Sequence, residues 1–186
     1  MKKLIAVILV VILLISQSGI ILAAHSDYGC DSCHTPHNSK SSPVIPLWNG
    51  SETTSFFSMY SSSTFQGSMD GQPSGSSRLC LSCHDGTNPR YSWMSPEHTM
   101  TSNTLKNSHP ISFVYDSSLA ALDGALKDPA EPSTLGGTIA KDLLDAESKV
   151  QCSSCHDIHT SGIGDHMLRG YDYDAGPDFC RMCHLK

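Results

Sequence analysis

The chain has 186 residues, a length that suits one domain, and carries 18 acidic side chains against 12 basic ones, a formal charge of −6. That balance disfavours nucleic acid and anionic membrane surfaces as partners. Eight cysteines in so short a chain call for a disulfide framework, a metal site or a prosthetic group.

The chain opens with Met1-Lys2-Lys3, an apolar run from Leu4 to Ile15, a polar break at Ser16-Gln17-Ser18-Gly19, and Leu22-Ala23-Ala24. A positive start, a short apolar stretch and small closing residues predict a secretory signal peptide over 1–24, cleaved after Ala24 or Ala23. The uninterrupted apolar run has 12 residues, short of the roughly 20 that span a bilayer. A mature domain of 25–186 follows, 162 residues long, and the loss of Lys2 and Lys3 takes its charge to −8. The cysteine nearest the cleavage point, Cys30, is used elsewhere, which argues against a lipid anchor.

Next comes Cys30-Asp31-Ser32-Cys33-His34, a C-x-x-C-H motif. It recurs at Cys80 to His84, Cys152 to His156 and Cys180 to His184. C-x-x-C-H is the attachment signature of c-type haem: two thiols bond to the haem edge, and the histidine lies under the iron. The four copies use all eight cysteines. Zinc sites do not need a histidine after every second cysteine, and a disulfide framework would scatter its cysteines. Four covalent haems are therefore expected, on Cys30, Cys33 and His34; Cys80, Cys83 and His84; Cys152, Cys155 and His156; and Cys180, Cys183 and His184.

From Ser39 to Ser77, 13 of 39 residues are serine, the composition of a linker. Yet Trp48, Phe56, Phe57, Met59, Tyr60 and Phe65 are spaced through it, so an ordered loop wrapping a haem face is expected, without long helix or strand. Asn49-Gly50-Ser51 is a glycosylation sequon, expected to be unused. Pro110 to Tyr115 alternates like a short strand. Asp116 to Lys127 is predicted helical, with Leu119, Leu122 and Leu126 on one face, Asp116 or Ser117 as cap, and Pro129 beyond its end. Thr138 to Lys149 is a second candidate, capped by Thr138, with Ile139, Leu143 and Ala146 on one side. Short helical turns should carry each C-x-x-C-H. The expected fold is thus mostly irregular loops with a few short α-helices and little β, organised on a stack of four haems that supply much of the core.

Ten histidines are present. With four used as proximal ligands, His25, His37, His98, His109, His159 and His166 remain, enough for a second histidine on every iron. Methionine is the competing ligand, from Met59, Met69, Met94, Met100, Met167 or Met182. His37 and His159 each stand three residues after a proximal ligand. Such a residue lies on the same side of a helical turn, so it can serve only a different haem packed against the first. His109 is held by Pro110, and His25 stands at the mature N-terminus. His98 and His166 have weaker contexts and are treated as spare.

With those residues placed, the chain resembles the OmcE-type tetrahaem cytochromes, extracellular subunits that polymerise into conductive filaments. The resemblance rests on His25 before Cys30 to Asn38, on Pro46-Leu47-Trp48-Asn49, on Tyr60 to Ser63 and Gln72 to Gly75. It continues through Leu79 to Thr87, Ser108 to Phe113, and Cys152 to His159. It implies bis-histidine ligation at all four haems, with His25, His37, His109 and His159 as distal ligands. It also implies that one of them, His25 as candidate, crosses to a neighbouring subunit. Electron transfer without catalysis, in a secreted filament built of identical subunits and served by redox partner cytochromes, is the expected function. A soluble periplasmic shuttle is the alternative, and a multihaem reductase with an open iron a further one.

Overall fold

The computed structural model describes residues 25, 29–37, 39, 47–89, 94, 96–102, 104–160, 165–170 and 178–185. The leader over 1–24 and residues 40–46 of the serine-rich stretch lie outside the described residues. Most of the described chain is loop and turn. Its regular elements are α1 (Gly75–His84), β1 (Phe113–Val114), α2 (Ser117–Asp123), α3 (Ile139–Leu143), β2 (Lys149–Val150) and α4 (Cys152–Cys155). Single 3-10 turns occur at Cys30–Ser32, Pro96–His98, Thr104–Lys106, Asp165–Met167 and Cys180–Met182.

Both expected helices start where their caps predict and end early. Asp116 Oδ1 accepts the Leu119 N–H at 2.8 Å and opens α2. Gly124, at φ 69°, reverses the chain after Asp123, as a left-handed glycine does at a helix end. Leu122 is consequently 66% exposed, and Leu126, expected on the apolar helix face, forms an isolated bridge with His184. Thr138 Oγ1 accepts the Lys141 N–H at 3.2 Å and opens α3, which ends at Leu143. Asp145 then turns the chain by accepting the Glu147 and Lys149 N–H groups, each at 2.9 Å. The tail of the expected second helix becomes β2 instead. It pairs antiparallel with β1, Phe113 opposite Val150 and Val114 opposite Lys149. The strand expected over 110–115 shortens accordingly.

Two apolar clusters hold these elements. One joins Phe113, Tyr115, Leu119, Ala120, Ile139, Leu143, Val150 and Met182. The other joins Phe57, Leu81 and Leu105, with Met59, Met100 and Ile111 against it. The serine-rich stretch therefore puts aromatic groups into the protein core. Phe57 lies in the second cluster, and Phe65 meets Phe113 edge-on at 5.2 Å.

A buried polar joint locks α1 to α4. Gln151 is 1% exposed. Its Oε1 accepts from the hydroxyls of Ser77 (2.6 Å) and Ser112 (3.1 Å), and its Nε2 donates to Asp145 (2.9 Å). Ser77 Oγ in turn accepts the Cys152 N–H at 2.9 Å. Buried polar groups are kept only when paired in this way, and the pairing fixes Cys80 on α1 beside Cys152 on α4.

Candidate haem sites

Each C-x-x-C-H must bring two sulfurs and one imidazole to a single group, and one helical turn does it. The His N–H bonds back to the first cysteine carbonyl at His34 (2.8 Å), His156 (3.0 Å) and His184 (3.0 Å). In the remaining motif the turn is the last of α1. Three motifs then leave the turn extended and pinned by an isolated bridge: His34 with Trp48, His156 with Leu168, His184 with Leu126. The second cysteine carbonyl accepts across that bridge from the N–H of Asn49 (2.8 Å), Arg169 (2.9 Å) or Lys127 (2.8 Å). This repeated construction is invisible in the sequence, because the bridging partners share no motif.

No disulfide joins any of the eight cysteines, so both sulfurs of each motif are open to attachment.

The histidine rings form facing pairs. His34 and His159 have ring centres 6.3 Å apart, His25 and His84 5.9 Å, and His109 and His184 6.3 Å. A metal–imidazole bond of about 2 Å on each side, with about 1.2 Å from nitrogen to ring centre, requires a separation of roughly 6.4 Å. In separation the pairs therefore match an iron held between two imidazoles, and one member of each pair belongs to a C-x-x-C-H whose two thiols would attach the haem. Each pair joins residues far apart in the chain, and His159, three positions after His156, faces His34 and not its own motif.

Backbone carbonyls orient the rings. The carbonyl of His98 takes the Nδ1 proton of His84 at 2.7 Å, that of His166 takes the Nδ1 proton of His156 at 2.6 Å, and that of Pro110 takes the Nδ1 proton of His109 at 2.9 Å. Since a carbonyl only accepts, the proton sits on Nδ1 and the Nε2 lone pair is left for a metal. His98 and His166, the two spare histidines, thus take part through their main chain, a role no side-chain pattern could signal. Burial first, then the neighbouring His84 and His156, pulls the His25 pKa down. Burial likewise leads at His109, against the bond to Pro110 and with the push of His184. Both shifts favour the neutral imidazole that ligates metal.

The sites adjoin one another. A hydrogen bond between the thiols of Cys80 and Cys152, together with burial, pushes Cys80 up, and the same bond draws Cys152 down to about 7. Burial raises Cys155 to about 11, and the nearby Cys183 adds to it. Attachment points of successive motifs are therefore close together.

The remaining expected ligands fall as follows. His25, expected to reach into a neighbouring subunit, faces His84 of its own chain. His37 is exposed, on a turn closed by Thr35, whose hydroxyl donates to the His37 carbonyl at 2.8 Å. Among the described residues, no histidine ring stands opposite His156. Of the methionines weighed as ligands, Met182 is 1% exposed in the first cluster, and Met59 and Met100 pack on the second.

A family model described as a doubled CXXCH motif matches residues 146–186. With the motif geometry, this match indicates a multihaem c-type cytochrome kind of protein, and the C-x-x-C-H pairs point to covalent haem attachment and electron transfer. Proteins of this kind are matured outside the cytoplasm, and among the described residues no helix is long and apolar enough to cross a membrane. No curated protein matches the chain.

Proposed function

We propose that the protein conducts electrons through four c-type haems, one on each C-x-x-C-H, as the subunit of a secreted cytochrome filament of the OmcE type. The observation that carries this reading is the set of three facing histidine pairs at iron-spanning separation. On this reading His159 is the distal ligand for the iron on His34, His25 for that on His84, and His109 for that on His184. The iron on His156 takes its distal ligand from a neighbouring copy. His37, exposed and with no ring opposite it among the described residues, replaces His25 as the donor. Donor and acceptor surfaces then differ, so the contact is heterologous and propagates. Six-coordinate irons leave no open position for substrate, so the protein is a conduit and not an enzyme.

Electron microscopy of the secreted protein, with mass and low-temperature spectra, tests this. Wild type should carry four haem additions, show only low-spin iron and form filaments. His37→Ala should secrete as haem-loaded monomer with one high-spin iron. Filaments and four low-spin haems in that variant would place the joint elsewhere. Wild-type monomers with four low-spin haems would instead establish the soluble shuttle.

A further inference from the structure

The three facing pairs differ in the angle between their ring planes. His34 and His159 are 22° apart and His25 and His84 32°, whereas His109 and His184 are crossed at 80°. We infer that Pro110 is a positioning residue that holds the His109 ring crosswise to His184, making the site at Cys180–His184 electronically unlike the other two. This rests on the proposal that the pairs are axial ligands.

The cause lies in how an imidazole donates. Its π electrons reach only the metal d orbital that stands perpendicular to the ring plane. Two nearly coplanar rings load the same orbital and split it from its partner. Two crossed rings load one orbital each and leave the pair close in energy. Low-spin ferric iron holds one unpaired electron in this pair, so its paramagnetic resonance reports the difference. A split pair has an ordinary rhombic spectrum. A near-degenerate pair has a strongly anisotropic one, with a single large g value at low field. Crossed rings also stabilise the ferric state less, which raises the reduction potential; orientation thus joins ligand identity and hydrogen bonding among the protein's means of tuning haem.

The chain holds this angle from both sides. His109 Nδ1 donates to the carbonyl of Pro110 at 2.9 Å, and the proline ring fixes φ at about −65°, restricting where that carbonyl points. Two residues on, Ser112 is fully buried at φ 60°, and its N–H donates to the Val150 carbonyl at 2.6 Å. The run behind His109 is thereby anchored in the core. Opposite, the bridge with Leu126 sets His184: Lys127 N–H donates to the Cys183 carbonyl at 2.8 Å and Leu185 N–H to that of Ala125 at 2.9 Å. The backbone is thus fixed on both sides of the pair, and the His109 ring is tied to it through Nδ1.

Electron paramagnetic resonance of the frozen, oxidised, haem-loaded protein, alongside a redox titration, tests the inference. Wild type should show a large-g component beside rhombic ones. His109→Met keeps a sixth ligand and should lose that component while the rhombic signals stay. Pro110→Gly keeps the accepting carbonyl but frees it. The iron should remain low-spin, while the large-g component shifts or broadens toward the rhombic range and the highest potential falls. A wild-type spectrum with rhombic signals only, a large-g intensity unchanged in His109→Met, or a Pro110→Gly spectrum identical to wild type would each overturn it. Should His109→Met fail to mature, the Pro110→Gly comparison decides. Failure of the ligation proposal itself would look different, as high-spin iron in the wild-type protein.

Discussion

The motifs ending at His84 and His156 share their five-residue signature and the aspartate that follows, Asp85 or Asp157, yet they are built differently. The first closes a helix of 10 residues with buried side chains on all sides, whereas the second sits on a helix of 4 residues and a bridge. Asp85 is 6% exposed and gathers hydroxyls from far away in the chain, those of Thr53 and Ser55, besides the N–H and hydroxyl of Thr87. Asp157 serves its own turn, accepting from the N–H of His159 at 2.9 Å and from Thr160, with Arg169 at 3.6 Å. One carboxylate fastens the serine-rich stretch to the protein, and the other holds the turn that sets His159 near His34. Haem chemistry dictates only that two thiols and an imidazole converge. The scaffold around them is free to differ.

The largest effect should come from breaking the joint between these two regions. Gln151→Ala takes away the acceptor of the Ser77 and Ser112 hydroxyl protons and one donor to Asp145, whose other bonds remain. Buried groups left without partners cost roughly 1–3 kcal/mol each, so a loss of about 3 kcal/mol is expected in denaturant unfolding of the haem-loaded protein. A change below about 1 kcal/mol would mean that the serines re-pair and the joint is dispensable.

Removing each aspartate sharpens the comparison. Asp85→Ala should cost about 2 kcal/mol, since hydrogen bonds to a charged group are worth roughly 1.5–3 kcal/mol together with their burial. Asp157→Ala, on a local and more open turn, should cost about 1 kcal/mol and also loosen His159. Burial pushes both carboxyls up, but hydrogen bonds outweigh it: from Thr53, Thr87 and Ser55 at Asp85, and from His159 and Thr160, with the Arg169 charge, at Asp157. Both therefore lie below the ordinary carboxylate value. A depressed folded pKa contributes stability that is complete above the unfolded value of about 3.9 and is lost as pH falls through the folded one. Acid unfolding below about pH 4 should accordingly be shallower in Asp85→Ala than in wild type. Equal slopes would show that the carboxylate does not titrate with unfolding.

What could be read from the sequence was whatever depends on neighbours in the chain. The cysteine pairs, the proximal histidines and the caps Asp116 and Thr138 are local, and the turns they imply are present. The leucine spacing carries the predicted helix past Gly124, whose left-handed conformation ends it, so Leu126 is expected on a helix and lies instead against His184. The identity of β2 depended on Asp145 capturing the Lys149 N–H, a turn that competes with helix through a side chain well able to support either. Which imidazole faces which was beyond local reading, because it is set by bridges such as His184 with Leu126 whose partners carry no signature. The spacing of His159 announced a partner in another motif without saying which one.

The smallest expected effect separates side chain from main chain beside the two compared motifs. His98 and His166 hold His84 and His156 through their carbonyls, and any residue supplies a carbonyl. His98→Ala should therefore change stability by less than about 0.5 kcal/mol, like most surface substitutions, with unchanged haem spectra. His166 differs because it adopts the left-handed conformation, at φ 66°, with Met167 after it at 52°. A side chain there costs of order 1 kcal/mol, which glycine avoids at the expense of a more flexible unfolded chain. His166→Gly should thus be neutral or stabilising by about 0.5 kcal/mol, while His166→Ala keeps the strain and gains nothing. Unfolding midpoints and the low-spin band compare the two directly. If His166→Gly instead opens an iron, its imidazole is a ligand after all, and the carbonyl contact to His156 is incidental.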